Sequence, residues 1–239
     1  MAKAATKALV LAAMEAEFWH QCWQQNQLGF QLTEPHPLLQ QYLPRILAKR
    51  PDDCNEIVLP LCGKTPDLLF CQQFLPVQGF ELSPIACQDF FREHNLAVSC
   101  QPWPDPELQF MHYQAERIQL WQGDFFQVPD KWVSDSALIY DRAALIALPA
   151  EMRQHYATKL MSWLVLGAEL LVITLEYPQQ ERSGPPFSVP AAELTVLFPN
   201  CQIELLDTVD ITGQGFGRRR MATSYLLEKI WTIRYKNGA

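Results

Sequence analysis

The sequence is short of positive charge: 19 Lys and Arg stand against 26 Asp and Glu, a net charge of −7 over 239 residues. That balance excludes a long basic face of the kind that tracks a nucleic-acid backbone. The one basic run, Arg218-Arg219-Arg220, reads as a solvated turn between strands. Cysteines are odd in number, at positions 22, 54, 62, 71, 87, 100 and 201, with no CxxC pair, no HExxH and no zinc-finger spacing. Scattered thiols of this kind predict reduced cysteines in a cytoplasmic protein, no disulfide framework and no metal site. No apolar run reaches the length of a membrane span, since LVLGAELLVITL is interrupted by Gly167 and Glu169. Lys3 and Lys7 precede a small apolar run without a convincing cleavage region, which predicts the start of a cytoplasmic chain rather than a signal peptide. The dinucleotide fingerprint GxGxxG is absent, as is the G-x-S-x-G elbow, and the five histidines show no paired spacing. Hydrolase chemistry and a standard nicotinamide site therefore have no support, and no internal repeat appears.

What is present is a compact α/β pattern. Hydrophobic residues make up 49% and charged residues 19%, which suits one well-buried domain over 1–239. Residues 56–83, EIVLPLCGKTPDLLFCQQFLPVQGFELS, carry the clearest signal. An apolar strand from Glu56 to Leu61 runs into the turn Cys62-Gly63-Lys64, a short helix starts near Pro66, and a second strand ends on Glu81. In such a unit a ligand sits outside the carboxyl ends of the strands, where the first turn and the acid of strand two converge.

On either side of that unit the chain divides into a helical N-terminal cover, 13–50, and a core, 54–239. In the cover, Trp19, Trp23, Asn26 and Phe30 share one broad side of a helical pattern. Two readings stay open: the helix packs onto the domain, or it folds over the mouth of a ligand site. A second helix is expected over His36 to Ala48, bent or restarted at Pro44. Past Glu81 the pattern predicts a helix over Pro84–His94 capped by Ser83, a loop over the proline-rich Ser99–Pro106 and a β-arm near Leu108–Tyr113. Core strands follow at Arg117–Trp121, Ser136–Tyr140 and Glu169–Glu176, with a helix at Glu151–Leu164. A helix at Pro190–Leu197 and two closing strands, Cys201–Val209 and Met221–Tyr235, complete the chain. Two strands joined by a turn predict an antiparallel pair.

Several residues invite chemistry. Gly63 supplies the backbone freedom for a close approach to a ligand, although an ordinary strand-helix turn needs the same. Glu81, about 20 residues past the first turn, is placed to grip a ribose diol. The competing reading is a surface acid before a helix. Asp124 beside Phe125 suits an adenine edge or a simple turn. Asp141-Arg142 is either an ion pair pinning a loop or a guanidinium offered to a ligand carboxylate or acceptor. The GQGFG run at 213–217 imitates a phosphate loop but joins two strands, so it reads as a flexible hairpin.

Taken together, EFWHQCW with GF at 29–30, LPLCGK, GFELS, YDRAAL, GPPFSVP and LLEKIW resemble the thiopurine S-methyltransferase family, particularly its bacterial branch. The resemblance covers nearly the whole chain after the first dozen residues. One departure is Leu75-Pro76-Val77-Gln78, where the family usually reads G-H-x-V. It implies a Rossmann-like class I fold, with a seven-stranded, mostly parallel sheet, an antiparallel last strand and helices on both faces. It also implies S-adenosylmethionine as cofactor, S-adenosylhomocysteine as product, and a small thiol or selenol as acceptor. Carried over by position, Trp19, Trp23, Leu61, Gly63, Glu81, Asp124, Phe125 and Arg142 are the expected cofactor residues. Arg142 is also the expected catalytic group, and Phe30, Phe187 and Arg218 are the expected acceptor residues. A monomer acting on thiopurines or related aromatic thiols is the expectation, with selenium or tellurium species or other small thiols as the alternative acceptors. A nicotinamide-dependent oxidoreductase and a non-catalytic binding protein are the readings from other classes.

Overall fold

The computed structural model describes residues 16–50, 54–105, 107–135, 137–217 and 220–236. In chain order these form α1 (16–24), α2 (Pro37–Leu47), β1 (Ile57–Pro60), α3 (Asp67–Cys71), β2 (Val77–Glu81) and α4 (Pro84–Glu93). Then come β3 (Ser99–Pro102), β4 (Met111–Ala115), β5 (Ile118–Gln122), β6 (Leu138–Arg142) and α5 (Ala150–Leu166). The chain closes with β7 (Glu169–Glu176), α6 (Ala191–Leu197), β8 (Cys201–Asp210) and β9 (Leu227–Tyr235).

All these strands join one nine-stranded sheet in the order β3-β4-β5-β2-β1-β6-β7-β9-β8. Strands β5, β2, β1, β6 and β7 run parallel, and β9 enters antiparallel between β7 and β8. The expected seven strands are therefore there, in class I order, with two more at one edge. The additions are β3 and β4, which pair antiparallel with each other and onto β5. Ser99–Pro102 was expected as loop. It forms an exposed edge strand whose proline closes it, where a missing N–H costs no ladder bond.

Alternation along the strands divides the core into two layers. On β7, Leu170 and Val172 pack into one cluster with Tyr156, Leu160 and Trp163 of α5. Leu171 and Ile173, one residue out of phase, pack into the other with Leu39 and Leu43 of α2 and Phe90 of α4. Burial on both faces explains why the parallel strands read as unbroken apolar runs. Helix α2 therefore belongs to the core layer, and only the segment ahead of it reaches the ligand crevice. It runs continuously through Pro44. His36 caps it and ties it down: its backbone N–H donates to Asp67 at 2.7 Å, and Nε2 lies 3.1 Å from the Glu228 carboxylate on β9. No helix among the described residues is long and apolar enough to cross a membrane.

The start of the last strand differs from expectation. Strand β9 starts at Leu227 instead of Met221, so a connection of some length, residues 211–226, separates it from β8. The expected helix start at Ala13 lies outside the described residues, as does Arg218.

Candidate functional site

The chain crosses from β1 to β2 and β5 on one side and to β6 and β7 on the other, so a crevice opens where the order reverses. Four strand ends meet there. Strand β1 continues into Leu61 and Gly63, both left-handed at φ 48° and 57°. The sequence assigned that conformation to glycine alone; Leu61 adopts it too, at a steric cost that the tight turn must offset. At the end of β2, Glu81 is 6% exposed, which removes the surface-acid reading. Its Oε2 accepts the N–H of Gly63 at 2.8 Å and its Oε1 the N–H of Ser83 at 2.7 Å. Burial pushes this carboxyl upward, and the amides of Ser83 and Gly63 pull back toward the ionised form. Two amide bonds leave roughly two of about four acceptor sites on the carboxylate for a ligand.

After β5, Asp124 caps a short 3-10 turn, accepting the N–H of Phe126 at 3.0 Å. Its turn role and its place beside the crevice coexist. The Phe125 ring is 2% exposed and packs on Phe80, Tyr156 and Trp163, so it walls the crevice from within the core. At the end of β6, neighbouring Asp141 and Arg142 point to different tasks and form no ion pair. Asp141 is fully buried and accepts the Tyr156 hydroxyl at 2.8 Å and the N–H of Leu145 at 3.2 Å. Burial raises its carboxyl to about 6, against the pull of those hydrogen bonds. Arg142 faces the crevice instead. Its Nη1 donates to the Phe30 carbonyl at 2.7 Å, and its buried Nε has no hydrogen-bond partner among the described residues.

The segment 16–31 closes over these strand ends. Trp19 and Trp23 each meet Phe30 edge-on, with ring centroids 5.7 and 6.0 Å apart. A Cβ on Gly63 would stand 3.2 Å from the Trp23 ring, so the cover rests directly on the first turn. The Gln31 side chain adds a bond to the Lys64 carbonyl at 3.0 Å. The aromatic helix thus packs on the domain across the mouth of the crevice.

A cavity of about 360 Å³ results. Trp19, Trp23, Phe30, Leu61, Gly63, Glu81, Asp124, Phe125 and Arg142 all line it. Phe187 does not. Its ring lies against Gly184 and under the Arg153 guanidinium, 5.4 Å from its centroid, and the two prolines before it line the cavity in its place. Residues not singled out from sequence include Gln31, Met152 and Phe216. Phe216 sits inside the GQGFG run read as a flexible hairpin, yet it is 3% exposed and stacks on Arg142. A large aromatic inside a glycine-rich loop was the available signal.

Comparison with known proteins agrees with this architecture. The profile of the family described as thiopurine S-methyltransferase matches residues 14–236. A thiopurine S-methyltransferase of Vibrio campbellii is 42% identical over 226 residues, covering 93% of this chain and 99% of that one. Another, of Pseudomonas aeruginosa, is 40% identical over 222 residues, covering 92% and 99%. Among solved structures, an S-adenosylmethionine-dependent methyltransferase from Anabaena variabilis superposes with a TM-score of 0.61 at 18% identity, covering 92% of this chain and 95% of that one. That likeness speaks to the fold. The match in sequence runs through the strand ends that build the cavity, and the chain belongs to the thiopurine S-methyltransferase family of S-adenosylmethionine-dependent enzymes.

Proposed function

We propose that this chain methylates the sulfur of aromatic or heterocyclic thiols, holding S-adenosylmethionine against the strand ends and the acceptor against the apolar wall beside Arg142. The observation that carries the reading is the charge layout of the cavity. Two acids, Glu81 and Asp124, lie on the β2 and β5 side, while Arg142 is the cation on the β6 side. A cofactor with hydroxyls and positive charge at one end suits the first, and an anionic acceptor suits the second.

Glu81 would hold the ribose diol with its remaining acceptor sites, each charge-assisted bond worth roughly 1.5–3 kcal/mol. Leu61 and Gly63 would let backbone approach the methionine moiety, and Asp124 and Phe125 would border the adenine. When bound, S-adenosylmethionine supplies a sulfonium methyl group for in-line displacement. Trp19, Trp23 and Phe30 exclude water from the covered crevice. Alignment of the reacting atoms is the chain's main task and supplies up to ~7–11 kcal/mol of barrier lowering.

Among the described residues no histidine lines the cavity, and an aromatic thiol ionised near neutral pH requires little general-base help. Arg142 favours the thiolate by its charge. The acceptor side is built from Ile146, Leu148, Met152, Pro185, Pro186 and Phe216, which favours an apolar ring over an inorganic selenium or tellurium species. We infer further that the chain works as a cytoplasmic monomer without nucleic acid or membrane. The net charge of −7 and the thiol state of Cys62, Cys71, Cys87 and Cys201 support that setting. Calorimetry with S-adenosylhomocysteine and with NAD tests the cofactor: binding of the first is expected, and binding of NAD alone overturns the reading.

A further inference from the structure

We propose that Phe216 is a positioning residue for the acceptor: its ring seats the Arg142 guanidinium at the wall of the cavity. The inference rests on the reading of Arg142 as the acceptor-side cation, and it assigns a purpose to the loop between β8 and β9.

Arg142 lacks the usual means of orientation. Its sequence neighbour Asp141 is turned away and used by Tyr156 and Leu145. Among the described residues one bond, from Nη1 to the Phe30 carbonyl at 2.7 Å, fixes one corner of the fork. A single hydrogen bond leaves the long side chain free to swing about it. The Phe216 ring restricts that freedom: the guanidinium carbon lies over the ring, 4.7 Å from its centroid. The ring itself is 3% exposed, so its side of the contact is shielded from water.

The two groups that hold Arg142 are also fixed to each other. Gly217, next to the ring, has φ 59°, and a Cβ there would lie 2.6 Å from the Gly29 carbonyl oxygen and 3.0 Å from the Phe30 carbonyl. The loop backbone thus packs without an intervening side chain on the peptide whose oxygen accepts the Arg142 proton. Segments near positions 30 and 216, far apart in the chain, close one joint around a cation on β6. Filling of the apolar cluster alone would ask only for bulk at position 216, and leucine would serve. Seating a guanidinium asks for a ring.

The test uses the full chain with Phe216→Leu, Phe216→Tyr and Arg142→Ala, assayed with a simple aromatic thiol. Phe216→Leu is expected to lower kcat/KM for the thiol about tenfold. It should also move the acidic limb of the kcat profile to higher pH, because the misplaced cation no longer favours the thiolate. Affinity for S-adenosylhomocysteine should stay within about twofold of wild type, and Phe216→Tyr should restore both kinetic readouts. Wild-type kinetics for Phe216→Leu alongside a damaged Arg142→Ala overturn the proposal and leave the role of Arg142 standing. Wild-type kinetics for Arg142→Ala overturn both. Should Phe216→Leu not fold, Phe216→Tyr and Phe216→Met are compared in its place; equal kinetics for ring and thioether overturn the proposal.

Discussion

Glu81 Oε2 accepts the backbone N–H of Gly63 at 2.8 Å, joining the end of β2 to the turn that follows β1. One carboxylate thereby shapes the first turn and faces the cavity with what remains of its acceptor capacity. Glu81→Gln keeps the shape and one amide bond but removes the charge. Affinity for S-adenosylhomocysteine is expected to fall by about tenfold to a hundredfold, the value of one charge-assisted bond. Titration calorimetry reads this directly, and undiminished binding would remove Glu81 from the cofactor floor.

Gly63→Ala adds a methyl group where φ is 57° and the Trp23 ring waits 3.2 Å away. The left-handed backbone costs roughly 1–2 kcal/mol for a residue with a Cβ. Displacement of Trp23 should show as a red-shifted tryptophan emission with weaker S-adenosylhomocysteine binding. An unchanged spectrum and melting temperature would mean that the cover does not rest on this turn in solution.

Asp141 makes a signed prediction about pH. Its folded carboxyl, raised by burial to about 6, lies above the ordinary value of 3.8. The stability it contributes is complete below the unfolded value and is lost as pH rises through the folded one. Asp141→Asn removes that dependence. The unfolding free energy of wild type minus that of the variant should therefore fall by on the order of 3 kcal/mol between about pH 4 and pH 7. Urea titrations across that range check it; parallel curves for the two proteins would contradict the buried, perturbed carboxyl.

Met152 lies on the wall assigned to the acceptor. Met152→Trp should fill that half, raising KM for an aromatic thiol by about tenfold or more while S-adenosylhomocysteine affinity changes little. Equal loss of both ligands would show that the cavity is not divided as proposed.

Much of this fold was legible because the central strands are buried on both faces. Glu169–Glu176 reads as an apolar run, and β7 has those bounds. Glu81 was legible for another reason: its distance past the first turn is set by the length of one helix and one strand. The edge was not legible. Strand β3 is exposed along its length, so it carries no alternation, and its proline argued for loop. Contacts between distant segments were also hidden. Nothing local in GQGFG shows that Phe216 meets Arg142, and nothing in GPPF shows that the prolines rather than Phe187 face the cavity. Asp141 and Arg142 suggest an ion pair by adjacency, but successive residues of a strand point to opposite faces. That alternation sends one to Tyr156 and the other to Phe30.

The central claim is methyl transfer to sulfur, and product analysis tests it most directly. Purified chain incubated with S-adenosylmethionine and a simple aromatic thiol should form the methyl sulfide and S-adenosylhomocysteine in equal amounts, measured by mass spectrometry. Tight binding of S-adenosylhomocysteine with no methyl sulfide from any aromatic or heterocyclic thiol would contradict it.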